Sequence, residues 1–134
     1  MRIMLDTNVL ISGFAFYSRR IMEMTRWICE HHQLVLSSYV VDELREVIRR
    51  KAPSMQGAID DFLFKLPFEM CYTPASLPEK LPFEIRDPDD VAVLYSAILA
   101  EADVLITGDK DFAEVEIEKP EILTPSEFTS RYML

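Results

Sequence analysis

Residues 2–8 read Arg2-Ile3-Met4-Leu5-Asp6-Thr7-Asn8, and residues 104–109 read Val104-Leu105-Ile106-Thr107-Gly108-Asp109. Each is a short run of bulky apolar residues that stops at or just before a carboxylate. Such a run, without polar alternation, suits a strand covered on both faces, as parallel sheets require. Two strands of this kind, side by side and pointing the same way, carry Asp6 and Asp109 to one edge of a sheet.

Working outward, Leu34-Val35-Leu36 is a further short strand closed by Ser37-Ser38, and Glu121-Ile122-Leu123 is another. Residues 69–73 suit an edge strand. Between these runs the apolar residues recur at helical spacing: Ile21, Met24 and Ile28 within 19–31, and Val40, Leu44, Val47 and Ile48 within 39–51. Ile59, Phe62, Leu63 and Leu66 follow Pro53, and Val91, Leu94, Tyr95 and Ile98 follow Asp87-Pro88. Thr124-Pro125-Ser126-Glu127 has the form of a capping box with Pro at the first helical position. Pro74 to Phe83, with prolines at 74, 78 and 82, is the longest irregular stretch. Strands alternating with helices predict an α/β domain around a mainly parallel sheet, with its site beyond the carboxyl ends of the strands.

At that edge the sequence concentrates acid. Asp6 and Asp109 end strands, whereas Glu43 and Asp90 fall in early helical turns, each four residues before an apolar position (Val47 and Leu94). Two unit charges about 5 Å apart repel by roughly 3 kcal/mol at an effective dielectric of 20. Four carboxylates in one cleft therefore call for protons or a cation. A set of oxygen ligands without a Cys–His group favours Mg²⁺ or Mn²⁺ over structural zinc. Such a centre suits phosphodiester hydrolysis, with no nucleophile needed from the chain. Asp87 reads as the N-cap of the helix that Pro88 opens. Asp111, two residues beyond Asp109, suits a cap of the short helix that follows, with Phe112 anchoring the turn.

Composition narrows the alternatives. The chain has 134 residues, 49% of them hydrophobic, which predicts one domain over 1–134 with a sizeable core. No apolar stretch approaches the roughly 20 residues of a membrane helix, and the start does not resemble a signal peptide. Cys29 and Cys71 are expected as reduced thiols in a cytoplasmic protein. The net charge is -9, unlike most nucleic-acid binders, but it is uneven. Residues 1–66 carry nine Lys/Arg against eight Asp/Glu, and residues 67–134 five against fifteen. Arg19-Arg20 and Arg49-Arg50-Lys51 offer either a local phosphate track or ordinary solvated helix surface. No Gly-rich loop follows the first strand, which excludes dinucleotide-binding and P-loop readings. A phosphoaspartate phosphatase wants a second carboxylate where Asn8 stands. The remaining alternative is a catalytically weak module that binds RNA or protein and keeps its acids for folding and metal-dependent order. The apolar stripe of residues 19–31, broadened by Met22, Trp27 and Cys29, predicts a homodimer.

Four segments in order resemble the PIN-domain ribonuclease family. They are Leu5-Asp6-Thr7-Asn8-Val9-Leu10-Ile11-Ser12-Gly13; Leu36-Ser37 with Asp42-Glu43-Leu44; Arg86-Asp87-Pro88-Asp89-Asp90; and Leu105-Ile106-Thr107-Gly108-Asp109-Lys110-Asp111-Phe112. The likeness is greatest to the single-domain prokaryotic toxins of toxin–antitoxin pairs. It implies a three-layer α/β/α sandwich with a central parallel sheet and an RNA-cleaving site. Asp6, Glu43, Asp90 and Asp109 are then the quartet around Mg²⁺ or Mn²⁺. Asn8 supports the first carboxylate, Thr107 is a polar neighbour of the metal, Ser37 orients the site and Asp111 is an auxiliary acid. The resemblance also implies a homodimer and a small antitoxin that occupies the cleft.

Overall fold

The five apolar runs form one parallel sheet, in which β1 (Arg2–Leu5) lies between β2 (Gln33–Ser37) and β4 (Val104–Ile106). β3 (Phe68–Cys71) and β5 (Glu121–Leu123) are the two edges, so the order is β3-β2-β1-β4-β5. The computed structural model describes residues 1–133. Ile3, Met4 and Leu5 are fully buried, as are Leu34, Val35 and Leu36, because helices cover both faces of the sheet. The result is a three-layer α/β/α sandwich. The edge strand expected at 69–73 is β3, and the last expected strand is β5.

α2 (Arg19–His31), α3 (Ser38–Lys51), α4 (Gln56–Lys65) and α6 (Pro125–Tyr132) occupy the predicted segments. Ile21, Met24 and Ile28 of α2 are buried, and so are Val40, Leu44 and Ile48 of α3. The capping box forms at Thr124 and Glu127. Pro53 starts a 3-10 turn ahead of α4. Arg49, Arg50 and Lys51 sit in the last turn of α3, where positive charge complements the helix carbonyl end. Arg20 hydrogen-bonds Ser126 at the start of α6. The two cysteines are free thiols. Among the described residues no helix is long and apolar enough to cross a membrane.

Two features depart from the sequence pattern. A helix, α1 (Thr7–Phe14), starts directly after β1, where periodicity gave no signal. It packs closely on α2: a Cβ at Gly13 would lie 2.7 Å from Ile21 Cγ2. The helix α5 (Pro88–Leu99) is also turned from its expected face. Asp90, Val93, Leu94 and Ala97 are buried, whereas Val91, Tyr95 and Ile98 are only half-buried. Small residues, Ala92, Ser96 and Ala97, let that face approach its neighbours. The turn carries Asp90 inward with the i+3, i+4 and i+7 positions of the same stripe.

The chain travels from β1 through β2 to β3 on one side, then crosses to β4 and β5 on the other. The reversal falls between β1 and β4, so the crevice opens at their carboxyl ends. Leu5 pairs with Ile106, and the Asp6 amide continues the ladder by donating to the Ile106 carbonyl at 3.0 Å.

Candidate metal centre

Asp6 is the last residue before α1 and caps it, its Oδ1 accepting from the Thr7 amide at 2.7 Å. Its other oxygen, Oδ2, accepts from the Thr107 hydroxyl at 2.7 Å. Thr107 Oγ1 in turn accepts from the Asp109 amide at 3.1 Å. The Gly108 amide donates to Asn8 Oδ1 at 3.4 Å, so Asn8 ties the α1 start to the turn after β4. Glu43, one and a half turns into α3, and Asp90, in the first turn of α5, face the same crevice. Asp6, Glu43, Asp90 and Asp109 all line one cleft of about 240 Å³, together with Asp87, Asp89 and Asn8.

The tightest acidic group in this region is Asp87, Asp90 and Asp111, each offering a carboxylate oxygen within 4.8 Å of the others. Asp87 caps α5, accepting from the Asp89 amide at 2.9 Å, and also belongs to this cluster. The sequence signal for that second role is its spacing: residues three apart at a helix start share a face. Asp111 does not cap the short 3-10 helix at Lys110–Glu114. That cap is Asp109, whose Oδ1 accepts from the Asp111 amide at 2.9 Å and so presents Asp111 to the cluster. Phe112 is buried and anchors the turn. Ser37 is fully buried and caps α3 by accepting from the Val40 amide at 3.1 Å, which fixes the helix that carries Glu43.

Burial and like charge shape the electrostatics. Burial pushes the Asp90 carboxyl up to about 7, and the charges of Asp109, Asp87, Asp6 and Asp111 push in the same direction. Burial also raises Asp6, opposed by the hydrogen bonds from Thr107 and Thr7 and aided by Glu43 and Asp109. Asp90 is 6% exposed, yet its Oδ2 has no hydrogen-bond partner among the described residues, and neither has the buried Thr7 hydroxyl. An unpartnered carboxylate oxygen among other carboxylates is unfavourable unless something positive meets it. The donor set consists of oxygens alone, which suits a hard divalent cation. These residues therefore fit such an ion.

Sequence patterns did not reveal the supports around the cleft. The Tyr39 hydroxyl on α3 donates to Asp89 on α5, and burial with that bond raises the phenol's pKa. Thr73 Oγ1 lies 2.8 Å from Ser96 Oγ, and the Thr73 amide donates to Ser38 Oγ at 2.9 Å. These bonds join the ends of β3, α3 and α5. They involve residues far apart in sequence, and no local spacing announces them.

The PIN-domain family matches residues 2–111, and the chain belongs to that family. Among solved structures it is similar to the crystal structure of VapBC2 from Rickettsia felis bound to a DNA fragment from their promoter. The TM-score is 0.69 at 18% identity, over 92% of this chain and 97% of that one. That likeness is one of fold. None of the curated proteins compared with the chain matches it.

Proposed function

We propose that this protein is a Mg²⁺- or Mn²⁺-dependent endoribonuclease, the toxin component of a toxin–antitoxin pair, acting as a single domain over residues 1–134 in the cytoplasm. The observation that carries the reading is Asp90: a buried carboxylate with an unpartnered oxygen, inside a cluster with Asp87 and Asp111 and in one cleft with Asp6, Glu43 and Asp109. A structural role asks for caps, and Asp6, Asp87 and Asp109 supply them. It does not ask for a buried, unpartnered acid among them.

Asp6, Glu43, Asp90 and Asp109 are the residues we assign to hold the cation, with Asp87 and Asp111 beside them. A bound divalent cation supplies positive charge for the phosphate and lowers the pKa of a bound water. The chain supplies orientation. Thr107 and the Thr7 amide hold both oxygens of Asp6, so its rotamer is set before any ligand arrives. Asn8 and Thr107 fix the turn that carries Asp109 and Asp111.

RNA is the substrate implied by the family likeness, and a small antitoxin and a second copy of the chain are the partners it implies. Met22 on α2 is partly exposed and lines an apolar concavity of about 470 Å³ with Phe14, Phe62 and Leu66, area suited to a protein contact. Trp27 does not add to it, because its ring packs within the chain against His31 and Phe128.

The test is cleavage of several unstructured RNAs by purified protein with Mg²⁺ or Mn²⁺, beside Asp90→Asn purified identically. Metal-dependent cleavage lost in the variant supports the reading. No metal-dependent cleavage by the wild type refutes it, and equal cleavage by both proteins removes Asp90 and with it the observation that carries the reading.

A further inference from the structure

Beyond Asp109, where the chain leaves β4 and β5, lies a second and larger concavity of about 560 Å³. Thr107, Gly108 and Asp109 form its near wall, and Asp109 also lines the acidic cleft. The two spaces therefore meet at one turn of the chain. Val115, Ile117 and Ile122, all half-buried, give it an apolar surface. Its volume is in the range of small-ligand sites, and it sets apolar side chains beside carboxylates and hydroxyls.

Charge decides what can enter. Glu118, Glu121 and Glu127 line this space with Asp109, and Lys110 is the one cation among its lining residues. A phosphate is repelled there. A flat, neutral group with N–H donors is not. Glu121 is held by Arg131 and Tyr132, and Glu127 by the Thr124 amide. Glu118, which is exposed, has no hydrogen-bond or ion-pair partner among the described residues, so both of its oxygens are open to a ligand.

We propose that this concavity is a nucleobase subsite, holding the base next to the phosphate that lies at the acidic cleft, with Glu118 reading its donor edge. The inference rests on the nuclease reading for its biological role, but not for its test. Unstacked bases are recognised by apolar contact with the ring and hydrogen bonds to the edge. Guanine is the best fit, because its N1–H and N2–H₂ donors run parallel and match the two oxygens of one carboxylate. Uracil offers a single N–H there.

The experiment is an NMR titration of the whole protein, with methyl-labelled Ile and Val, in Mg²⁺. The probes are GMP, AMP, CMP and UMP. GMP is expected to shift the Val115, Ile117 and Ile122 methyls saturably, about tenfold more tightly than UMP. Glu118→Gln, an exposed change, should remove most of that preference, and Val115→Trp should abolish the shifts by filling the space. Unmoved methyls with all four nucleotides overturn the proposal, and so does an unchanged guanine preference in Glu118→Gln. Cleavage assays run beside the titration separate the two readings. Binding without cleavage leaves the subsite standing and removes the nuclease, whereas cleavage with no methyl shift removes the subsite alone.

Discussion

The Thr107 hydroxyl donates to Asp6 Oδ2 at 2.7 Å, between residues 101 positions apart in the chain. Thr107 Oγ1 also accepts from the Asp109 amide at 3.1 Å, so one side chain sets both the first and the last acid of the cleft. Parallel pairing of β1 with β4 makes this possible, since Leu5 and Ile106 are partners and the next residues emerge together.

Thr107→Val keeps the shape of that side chain and removes both bonds. It should cost about 1–3 kcal/mol of stability, because buried polar partners are left unmet. Mn²⁺ affinity should fall by roughly 10–100-fold, the usual effect of losing a group that orients a ligand. Thr107→Ser should recover most of both. Urea unfolding and calorimetric Mn²⁺ titration of the three proteins decide the matter, and full Mn²⁺ affinity in the Val variant would show that Thr107 does not position Asp6.

Asp6→Asn and Asp90→Asn should each lower metal-dependent cleavage at least about 100-fold while the protein stays folded. Circular dichroism confirms the fold, and single-turnover rates at saturating Mn²⁺ give the loss. Near-normal rates in either variant remove that residue from the cation's ligands.

The raised Asp90 carboxyl gives metal-free stability a definite pH dependence. Its value is about 7 in the folded chain, above the ordinary 3.8. Folding therefore takes up a proton between these values, and the contribution is lost as pH rises through about 7. With chelator present, the urea midpoint should fall from pH 5 to pH 8, and the fall should be smaller in Asp90→Asn. Saturating Mn²⁺ should reverse the trend, because the ion competes with the proton. A wild type and variant with identical pH profiles would contradict this.

Asp87 has two roles that substitution can separate. Asp87→Ala should cost about 1 kcal/mol through the lost cap of α5 and also weaken Mn²⁺ binding. Asp87→Ser should restore the cap but not the charge. Unfolding midpoints alongside Mn²⁺ titrations show whether stability and affinity part company. Unchanged Mn²⁺ affinity in both variants would leave Asp87 a cap alone.

Gly13→Ala tests the α1–α2 contact. Ala favours a helix over Gly by up to about 1 kcal/mol, but its Cβ would meet the buried Ile21 Cγ2 at 2.7 Å. Overpacking at such a contact costs typically about 1–3 kcal/mol, so net destabilisation is expected. A thermal midpoint at or above that of the wild type would show that the two helices can separate at little cost.

The sequence by itself determined the layering of this protein. Short apolar runs without alternation, bounded by turn residues and separated by helical stripes, suit strands covered on both sides, so the parallel sandwich follows from the pattern taken as a whole. It also determined that Asp6 and Asp109 follow strands and that Asp87 begins a helix, since caps and strand ends are written in neighbouring residues. The helix at Thr7–Phe14 escaped because it is eight residues long and apolar on most sides, which leaves no periodicity to read. Only tertiary structure decided which way α5 faces. That choice depends on how closely Ala92, Ser96 and Ala97 let it approach its neighbours, and it is what buries Asp90. Tertiary structure also decided that Asp87, Asp90 and Asp111 form the tight cluster, and that Tyr39 and Thr73 brace the elements around it. Those relationships join residues from different strands and helices, whose separation is fixed by packing and not by any spacing along the chain.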